Sequence, residues 1–167
     1  MDDIVKQALK KWPNVPHCYG WLALDARGDW YMRDDRTQAA GPFPQVKGSR
    51  ILHEKLREFI QRNYANDEAG CWFFQNGPQR VYVTLAYTPL VVHYEGEELI
   101  DHCGRPFVVR AAYLDDEGSV LMAGERGIAL LDDRDLGRFA DSDVSLHRIT
   151  RAEIPARFGF VADPKPA

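Results

Sequence analysis

The alternation of hydrophobic and polar residues along the chain predicts four β-hairpins. The first covers residues 21–32 and turns at 25–28, where Asp25 can accept turn hydrogen bonds and Gly28 can take a positive φ. The other three are predicted over residues 71–87, 90–102 and 107–123. Because the strands follow one another without alternating helices, a parallel, doubly wound architecture is not expected.

Apolar residues at helical spacing predict two helices, over residues 2–12 and 49–63. Ser49 is a suitable N-cap for the second helix. Its apolar stripe would consist of Leu52, Leu56, Phe59 and Ile60. Residues 33–48, which contain Gly41-Pro42-Phe43-Pro44, are expected to form a long loop, a kind of segment that often carries function.

Together these elements predict an α+β fold in which one main helix packs on an antiparallel, hairpin-built curved sheet or partial barrel. A length of 167 residues fits a single domain over residues 1–162. A two-part organisation, 1–95 and 96–162, is an alternative within that range. Residues 163–167 are expected to fray, because they are a short polar and proline-containing tail.

An internal repeat is a further hypothesis. Four residues of the first hairpin match four of the last at a constant offset: Leu24, Asp25, Gly28 and Met32 against Leu114, Asp115, Gly118 and Met122. Duplication would explain the match, and so would the shared chemistry of tight turns. The sequence leaves both explanations open.

Composition excludes several classes of protein. Hydrophobic residues make up 45% and charged residues 28% of the chain, which is typical of a globular protein. The net charge is −4 and there is no lysine-arginine block, so neither nucleic acid nor a membrane is an expected partner. The acidic start lacks the features of a signal peptide, and three cysteines fit reduced thiols, so we expect a cytoplasmic protein.

Two His-Cys pairs, His17-Cys18 and His102-Cys103, are the first candidates for chemistry, since imidazole and thiolate are the usual ligands of zinc. Adjacent residues on a strand point to opposite faces, so each pair is expected to supply one ligand at most. Alternatively, one cysteine could be a nucleophile activated by a histidine, or both could be small buried hydrophobes. Apart from zinc, no cofactor is expected.

Aromatic residues are the second set of candidates. In the run Cys71-Trp72-Phe73-Phe74, adjacent bulky residues must face both sides of a sheet. Either both faces are covered, or Trp72 and Phe74 belong to a binding surface to which Trp30 could contribute.

His93 lies in the acidic hairpin with Glu95, Glu97 and Glu98, a set that could hold a divalent ion or form a solvated tip. If Glu95-Gly96 is a two-residue turn, His93 faces Glu98. In the preceding hairpin, Asn76-Gly77 marks the turn and Pro78 indicates a longer loop.

The order of several segments resembles small proteobacterial families of unknown function. The resemblance covers about residues 20–95 and rests on the following segments: Leu24-Asp25-Ala26-Arg27-Gly28-Asp29-Trp30, helix 49–63, Val81-Tyr82-Val83 and Thr88-Pro89-Leu90. It implies a similar fold and a bacterial source, and it brings no activity with it.

The sequence contains no Walker loop, dinucleotide fingerprint, serine-hydrolase elbow or His-Glu-x-x-His motif. We therefore expect a non-enzymatic module that binds a protein or small-molecule partner and could form a homodimer through an open sheet edge. The alternative is a metal- or thiol-dependent enzyme that uses the two His-Cys pairs. A subunit of a larger complex is a third hypothesis, and it predicts an exposed apolar patch around Trp72–Phe74.

Overall fold

The computed structural model describes residues 1–167 and confirms the α+β class. The strands are β1 Cys18–Leu24, β2 Trp30–Met32, β3 Ser49–Arg50, β4 Tyr64–Asn66, β5 Trp72–Asn76, β6 Gln79–Leu85, β7 Leu90–Glu95, β8 Glu98–Asp101, β9 Pro106–Phe107, β10 Ala111–Leu114, β11 Val120–Gly124, β12 Gly127–Leu131 and β13 Leu146–Arg148. The helices are α1 Asp3–Lys11, α2 Asp35–Ala40, α3 Glu54–Arg62, α4 Leu136–Ala140 and α5 Ile154–Phe158, with 3₁₀ turns at Asp133–Asp135 and Arg151–Glu153. None of the helices has the length and apolar character needed to cross a membrane.

The chain divides into two compact units. Unit 1 consists of Met1–Asp25, Asp29–Ala86 and Phe160–Ala167, and unit 2 of Ala26–Gly28 and Tyr87–Gly159. Unit 1 contains a six-stranded sheet in the order β3-β2-β1-β6-β5-β4. Unit 2 contains a seven-stranded sheet in the order β13-β10-β11-β12-β7-β8-β9.

The two sheets share one connectivity. In unit 1, the antiparallel meanders β1-β2-β3 and β4-β5-β6 are joined where β1 runs parallel to β6. In unit 2, the meanders β7-β8-β9 and β10-β11-β12 are joined in the same way, where β7 runs parallel to β12. Unit 2 adds β13, which runs parallel to β10. Hairpin patterns report neighbours along the chain, so they predicted the meanders and not these parallel pairs.

The shared connectivity changes the interpretation of the internal repeat. The turn of Asp115 joins β10 to β11, and its counterpart in unit 1 is the turn of Asp67, which joins β4 to β5. In this comparison of the units Asp25 is not the counterpart of Asp115, because Asp25 begins the turn between β1 and β2. The turns of Asp25 and Asp115 are alike because aspartate and glycine specify the same tight turn locally.

One turn design occurs four times. In each turn a carboxylate oxygen accepts the backbone N–H of the residue four positions later, at 2.8–3.0 Å. The aspartates are Asp25, Asp67, Asp101 and Asp115. The residue three positions after each is a glycine with φ between 81° and 83°, a left-handed conformation that side chains disfavour. The Asp-x-x-Gly pattern therefore predicts these turns from sequence.

The main helix begins later than the sequence suggested. Ser49 and Arg50 form β3 and pair with β2, so Ser49 is not the N-cap. His53 takes that place, and its Nδ1 accepts the Leu56 N–H at 3.2 Å. The serine failed as a cap because its backbone is used by the sheet.

The predicted loop over residues 33–48 contains helix α2 and is organised around a buried arginine. Arg33 is 5% exposed, and its guanidinium donates to the carbonyl oxygens of Gly41 at 2.6 Å and Val46 at 3.0 Å. Carbonyl partners satisfy the buried cation, as burial of a charged group requires. The segment is therefore ordered.

Two hairpin turns differ from the prediction, one in length and one in register. Asn76 pairs with Gln79, so Gly77-Pro78 is a two-residue turn. Gly77 has φ 56° at the first central position, and proline suits the negative φ of the second, as in a type II′ turn. In the next hairpin, Glu95 pairs with Glu98 across Gly96-Glu97, so His93 faces Ile100 and not Glu98.

Each unit has its own core. In unit 1, the ring of Trp30 packs edge-on against Tyr64 at 5.1 Å, and Tyr64 lies 4.9 Å from Trp72. Both faces of β5 are covered, since Trp72, Phe73 and Phe74 are all buried. In unit 2 the largest fully buried side chains are Leu90, Leu121, Met122, Ile128, Leu131 and Ile154.

Residues 160–167 form part of unit 1. The backbone N–H of Leu85 donates to Ala162 O at 2.7 Å, and that of Val161 donates to Gly70 O at 3.0 Å. The tail expected to fray contains Asp163, which accepts a hydrogen bond from Thr84 Oγ1 at 3.2 Å, and a buried Pro164.

Candidate functional site

An apolar groove of about 260 Å³ opens between α3 and the sheet of unit 1. It is lined by Cys18, Trp21, Leu22, Met32, Ile51, Leu56, Ile60, Phe74, Asn76 and Val81. None of these residues is charged, and the polar side-chain groups are the Asn76 carboxamide, the Cys18 thiol and the Trp21 indole N–H. Apolar walls with few polar groups are typical of small-molecule sites.

A bulge in β1 builds one wall of the groove. Cys18 pairs with Val81 and Leu22 with Val83, so four residues of β1 span two of β6. Such a bulge re-aims side chains, because it breaks the strict alternation of faces along a strand. Cys18, Trp21 and Leu22 consequently all line the groove.

Gly20 makes the bulge possible. Its φ is 81°, and a Cβ at this position would lie 2.5 Å from Gln38 Oε1. The side chain of Gln38 is itself held, since its Nε2 donates to Arg33 O at 2.8 Å. A larger residue at position 20 would therefore meet both backbone strain and a steric clash.

Helix α3 supplies the opposite wall. Leu56 and Ile60 lie one turn apart on one face of the helix, the spacing at which side chains are neighbours. Phe59 contacts Phe74 edge-on at 5.6 Å and so ties the helix to β5. The C-terminal end is fixed by Asn63, whose Nδ2 donates to Phe59 O at 2.8 Å.

The floor and the rim of the groove differ in exposure. The floor residues Leu22 and Ile60 are 4% and 2% exposed, whereas the rim residues Trp21, Met32 and Leu56 are 38%, 53% and 38% exposed. A concave site that reaches the core suits a small ligand or a single inserted side chain more than a flat protein surface.

The two His-Cys pairs lie in different units. Cys18 lines the groove, whereas the ring of His17 contacts Tyr82 edge-on at 5.5 Å. Tyr82 follows Val81 on β6, so the two residues of this pair face opposite sides of the sheet, as adjacency on a strand predicts.

In unit 2, His102 and Cys103 lie within one of the aspartate turns. His102 Nδ1 accepts the Val91 N–H at 3.2 Å, and the Cys103 sulfur lies 3.6 Å from His102 Nε2. No group of three or more His, Cys, Asp or Glu side chains in the protein is arranged to hold a metal ion. The zinc site therefore stays a prediction from sequence.

Both thiols of these pairs favour the neutral form. Burial raises the pKa of Cys18. Burial and the Asp101 carboxylate raise the pKa of Cys103 to about 12. Because the thiolate is the nucleophile and the metal ligand, these environments oppose the chemistry that the sequence suggested for them.

The four predicted binding residues have separate places in the structure. Trp30 and Trp72 are buried in the core of unit 1, and Phe74 reaches the groove. His93 lies on β7 in unit 2, with its Nε2 3.1 Å from Glu95 Oε1. The exposed patch predicted around Trp72–Phe74 is wrong, because these side chains are buried against both faces of the sheet.

Sequence reasoning missed the residues that make the groove open, namely Trp21, Met32 and Asn76. One signal was available, since a glycine inside a strand pattern, here Gly20, indicates a bulge. The apolar stripe of residues 56 and 60 was recognised, but as core packing.

A second cavity, of about 300 Å³, lies in unit 2. It is lined by Leu114, Asp115, Asp116, Arg148, Ile149, Thr150 and Glu153. Its buried carboxylate is already engaged, because Asp115 accepts two turn N–H groups and the Tyr87 hydroxyl. Burial, together with Asp115, raises the pKa of Tyr87, and Arg151 lies 3.9 Å above its ring.

A shallower depression in unit 1, of about 520 Å³, is also polar. It is lined by Asn66, Asp67, Glu68, Ala69 and Arg80. Asp67 accepts the Tyr82 hydroxyl at 3.0 Å in addition to its turn N–H groups, so its oxygens are engaged within the chain. The apolar groove is therefore the stronger candidate.

The model of the family DUF2944, described as "Protein of unknown function (DUF2946)", matches residues 1–165. The chain belongs to this family. The predicted resemblance to small families of unknown function is confirmed.

Two solved structures are similar to this DUF2944 member. A DUF1285 family protein from Silicibacter pomeroyi DSS-3 has a TM-score of 0.52 at 15% identity, over 84% of each chain. A DUF1285 family protein from Shewanella baltica OS155 has a TM-score of 0.49 at 16% identity, over 72% of this chain and 91% of the other. The first likeness shows a common fold. No curated protein matches the chain.

Proposed function

We propose that the protein is a non-enzymatic module that binds a small apolar ligand in the groove of unit 1. The observation that carries the proposal is an uncharged cavity of about 260 Å³ with a buried floor and an exposed apolar rim. Burial of apolar surface in such a site is favourable without any further interaction.

The size of the groove limits the ligand. An apolar cavity of ~150 Å³ holds benzene, so this groove suits a ligand of ~10 carbon atoms. At ~0.8 kcal/mol for each buried CH₂, ~10 carbon atoms contribute ~8 kcal/mol, of which a few kcal/mol remain after the cost of association. We expect dissociation constants between ~10 μM and ~1 mM.

The lining favours binding over catalysis. General acid–base catalysis needs a titratable group beside the reacting atoms, and none of the lining residues is acidic, basic or a histidine. The raised pKa of Cys18 also keeps its thiol in the weakly nucleophilic form.

We infer a reducing, cytoplasmic setting for this activity. All three cysteines, Cys18, Cys71 and Cys103, are free, which supports the inference. The zinc alternative is tested separately, by the mass of the native protein before and after treatment with a chelator.

Titration with the neutral ten-carbon fluorophore 2-naphthol tests the proposal, because its size matches the groove. We expect saturable binding, and we expect Leu56→Lys, on the rim, to weaken it at least tenfold because the ammonium group charges the groove. Leu52→Lys is the matched control, since Leu52 is 71% exposed and does not line the groove. Absence of saturable binding, or an equal loss in both folded variants, overturns the proposal.

A further inference from the structure

We propose that the ligand of the groove is a neutral amphiphile, with a compact tail on the apolar floor and one uncharged hydrogen-bonding head at Asn76. The inference rests on the proposed function and names the class of ligand for that site. It is argued from the position of Asn76, from the charge of the lining and from the dimensions of the groove.

Asn76 is the side chain of the groove that both donates and accepts strong hydrogen bonds. It is the last residue of β5, it is exposed, and the turn Gly77-Pro78 follows it. The backbone pairing of Asn76 with Gln79 fixes its position at the end of the sheet. A carboxamide offers both donors and an acceptor, so it can pair with an amide or a hydroxyl head.

The neighbouring polar side chain is used differently. Gln79 Nε2 donates to Pro16 O at 3.1 Å and is therefore engaged within the chain. The hydrogen bonds of the protein leave the Asn76 carboxamide without a partner in the chain, so it can serve a ligand. Cys18 adds a weak hydrogen-bonding group that stays neutral because burial raises its pKa.

The lining offers no counter-charge. A carboxylate or ammonium head that enters the mouth loses part of its hydration, and no lysine, arginine, aspartate or glutamate lines the groove to replace it. A neutral head loses less hydration and regains hydrogen bonds from Asn76. The groove therefore selects against both signs of charge.

The floor limits the length of the tail. Leu22 and Ile60 close the groove at 4% and 2% exposure. Each added CH₂ should improve affinity until the tail meets this floor, after which affinity should level off. For a cavity of this size, the plateau is expected at ~8 to 10 carbon atoms.

The test compares four ligands with one tail and different heads: octanamide, 1-octanol, octanoate and octylamine. Isothermal titration of the full chain at pH 7 should show the two neutral ligands binding at least tenfold more tightly than either ion. Asn76→Leu should remove most of the affinity for octanamide and abolish its advantage over octanoate. Asn66→Leu is the matched control, because Asn66 is also exposed and lies outside the groove.

The outcomes separate this inference from the proposed function. Failure of both the fluorophore and all four ligands overturns the proposed function. Binding of the fluorophore with equal affinities for the four heads, or with either ion the tightest, leaves the proposed function standing and overturns the inference. An unchanged affinity for octanamide in folded Asn76→Leu also overturns it.

Discussion

Units 1 and 2 have the same connectivity of six strands, yet their third and fourth strands are joined differently. In unit 1 the connection from β3 to β4 contains the nine-residue helix α3, whereas in unit 2 residues 108–110 link β9 to β10. Helix α3 is one wall of the groove. The comparison teaches that the connection between the meanders supplies the wall that unit 2 lacks, while the bulge in β1 supplies the other wall.

The cavities of the two units also differ in charge. The groove of unit 1 has an uncharged lining, whereas the cavity of unit 2 includes Asp115, Asp116, Arg148 and Glu153. Asp115 is tied to its own turn and to Tyr87. A common strand order therefore does not transfer a binding chemistry from one unit to the other, which is the general relation between fold and function.

The largest predicted difference concerns the equivalent turns of the two units. Asp115→Ala should lower the free energy of unfolding by about 4 kcal/mol and Asp67→Ala by about 2 kcal/mol. Both aspartates accept two N–H groups and a tyrosine hydroxyl, but Asp115 is 3% exposed and Asp67 is half-buried. Urea denaturation with hydrogen exchange would measure each loss and place it in a unit. Equal losses would show that burial does not distinguish the turns.

Two buried isoleucines separate stability from binding. Ile60 and Ile128 are 2% and 1% exposed, so Ile60→Ala and Ile128→Ala should each cost about 3 kcal/mol. Because Ile60 is also the groove floor, its variant should move the preferred tail length upwards by about two carbons. Titration with a homologous series of alkyl amides measures this shift. The same shift in Ile128→Ala would contradict the location of the site.

Two glycines of equal φ isolate the effect of the bulge. Gly20 and Gly118 both have φ 81°, so alanine at either should cost about 1–2 kcal/mol in backbone strain. Gly20→Ala should also weaken ligand binding several-fold, since a Cβ would displace Gln38, whereas nothing lies within 4 Å of a Cβ at position 118. Thermal unfolding and probe titration check the pair, and unchanged affinity in Gly20→Ala would exclude a role for the bulge.

At neutral pH the smallest effect concerns the thiols, because their contribution changes only at alkaline pH. The pKa of Cys103 in the folded protein is about 12, raised from an ordinary value of 9.0. Because the folded protein favours the neutral thiol, Cys103 contributes to the free energy of unfolding. This contribution is present in full below about pH 9 and is lost as the pH rises to about 12. Cys103→Ala should flatten the alkaline decline in stability relative to the parent protein. Alkylation by iodoacetamide at pH 8 should modify Cys18 before Cys103, and the reverse order would contradict their assigned environments.

The parts of the fold that depend on nearby residues could be predicted from sequence. The turns of Asp25 and Asp115 were recognised because aspartate and glycine specify them locally. The parallel pairing of Cys18 with Val81 could not be predicted, because it joins residues far apart in the chain and leaves no periodic signal.

The candidate site was predictable only in fragments. Phe74 and Cys18 were named as candidates, but for different sites. The groove that unites them depends on a bulge at Gly20 and on the angle at which α3 meets the sheet, and hydrophobic periodicity encodes neither. Ser49 shows the same limit, since a good capping residue lost that role to strand pairing.

The hydrogen bonds of Ala162 and Val161 have a consequence for synthesis on the ribosome. Most of unit 1 is translated before unit 2, yet Leu85 and Gly70 receive their partners from residues 160–167. All of Tyr87–Gly159 is translated before those partners. Domains of a nascent chain usually fold in the order of their synthesis, whereas of these two units the one that is begun earlier is completed later.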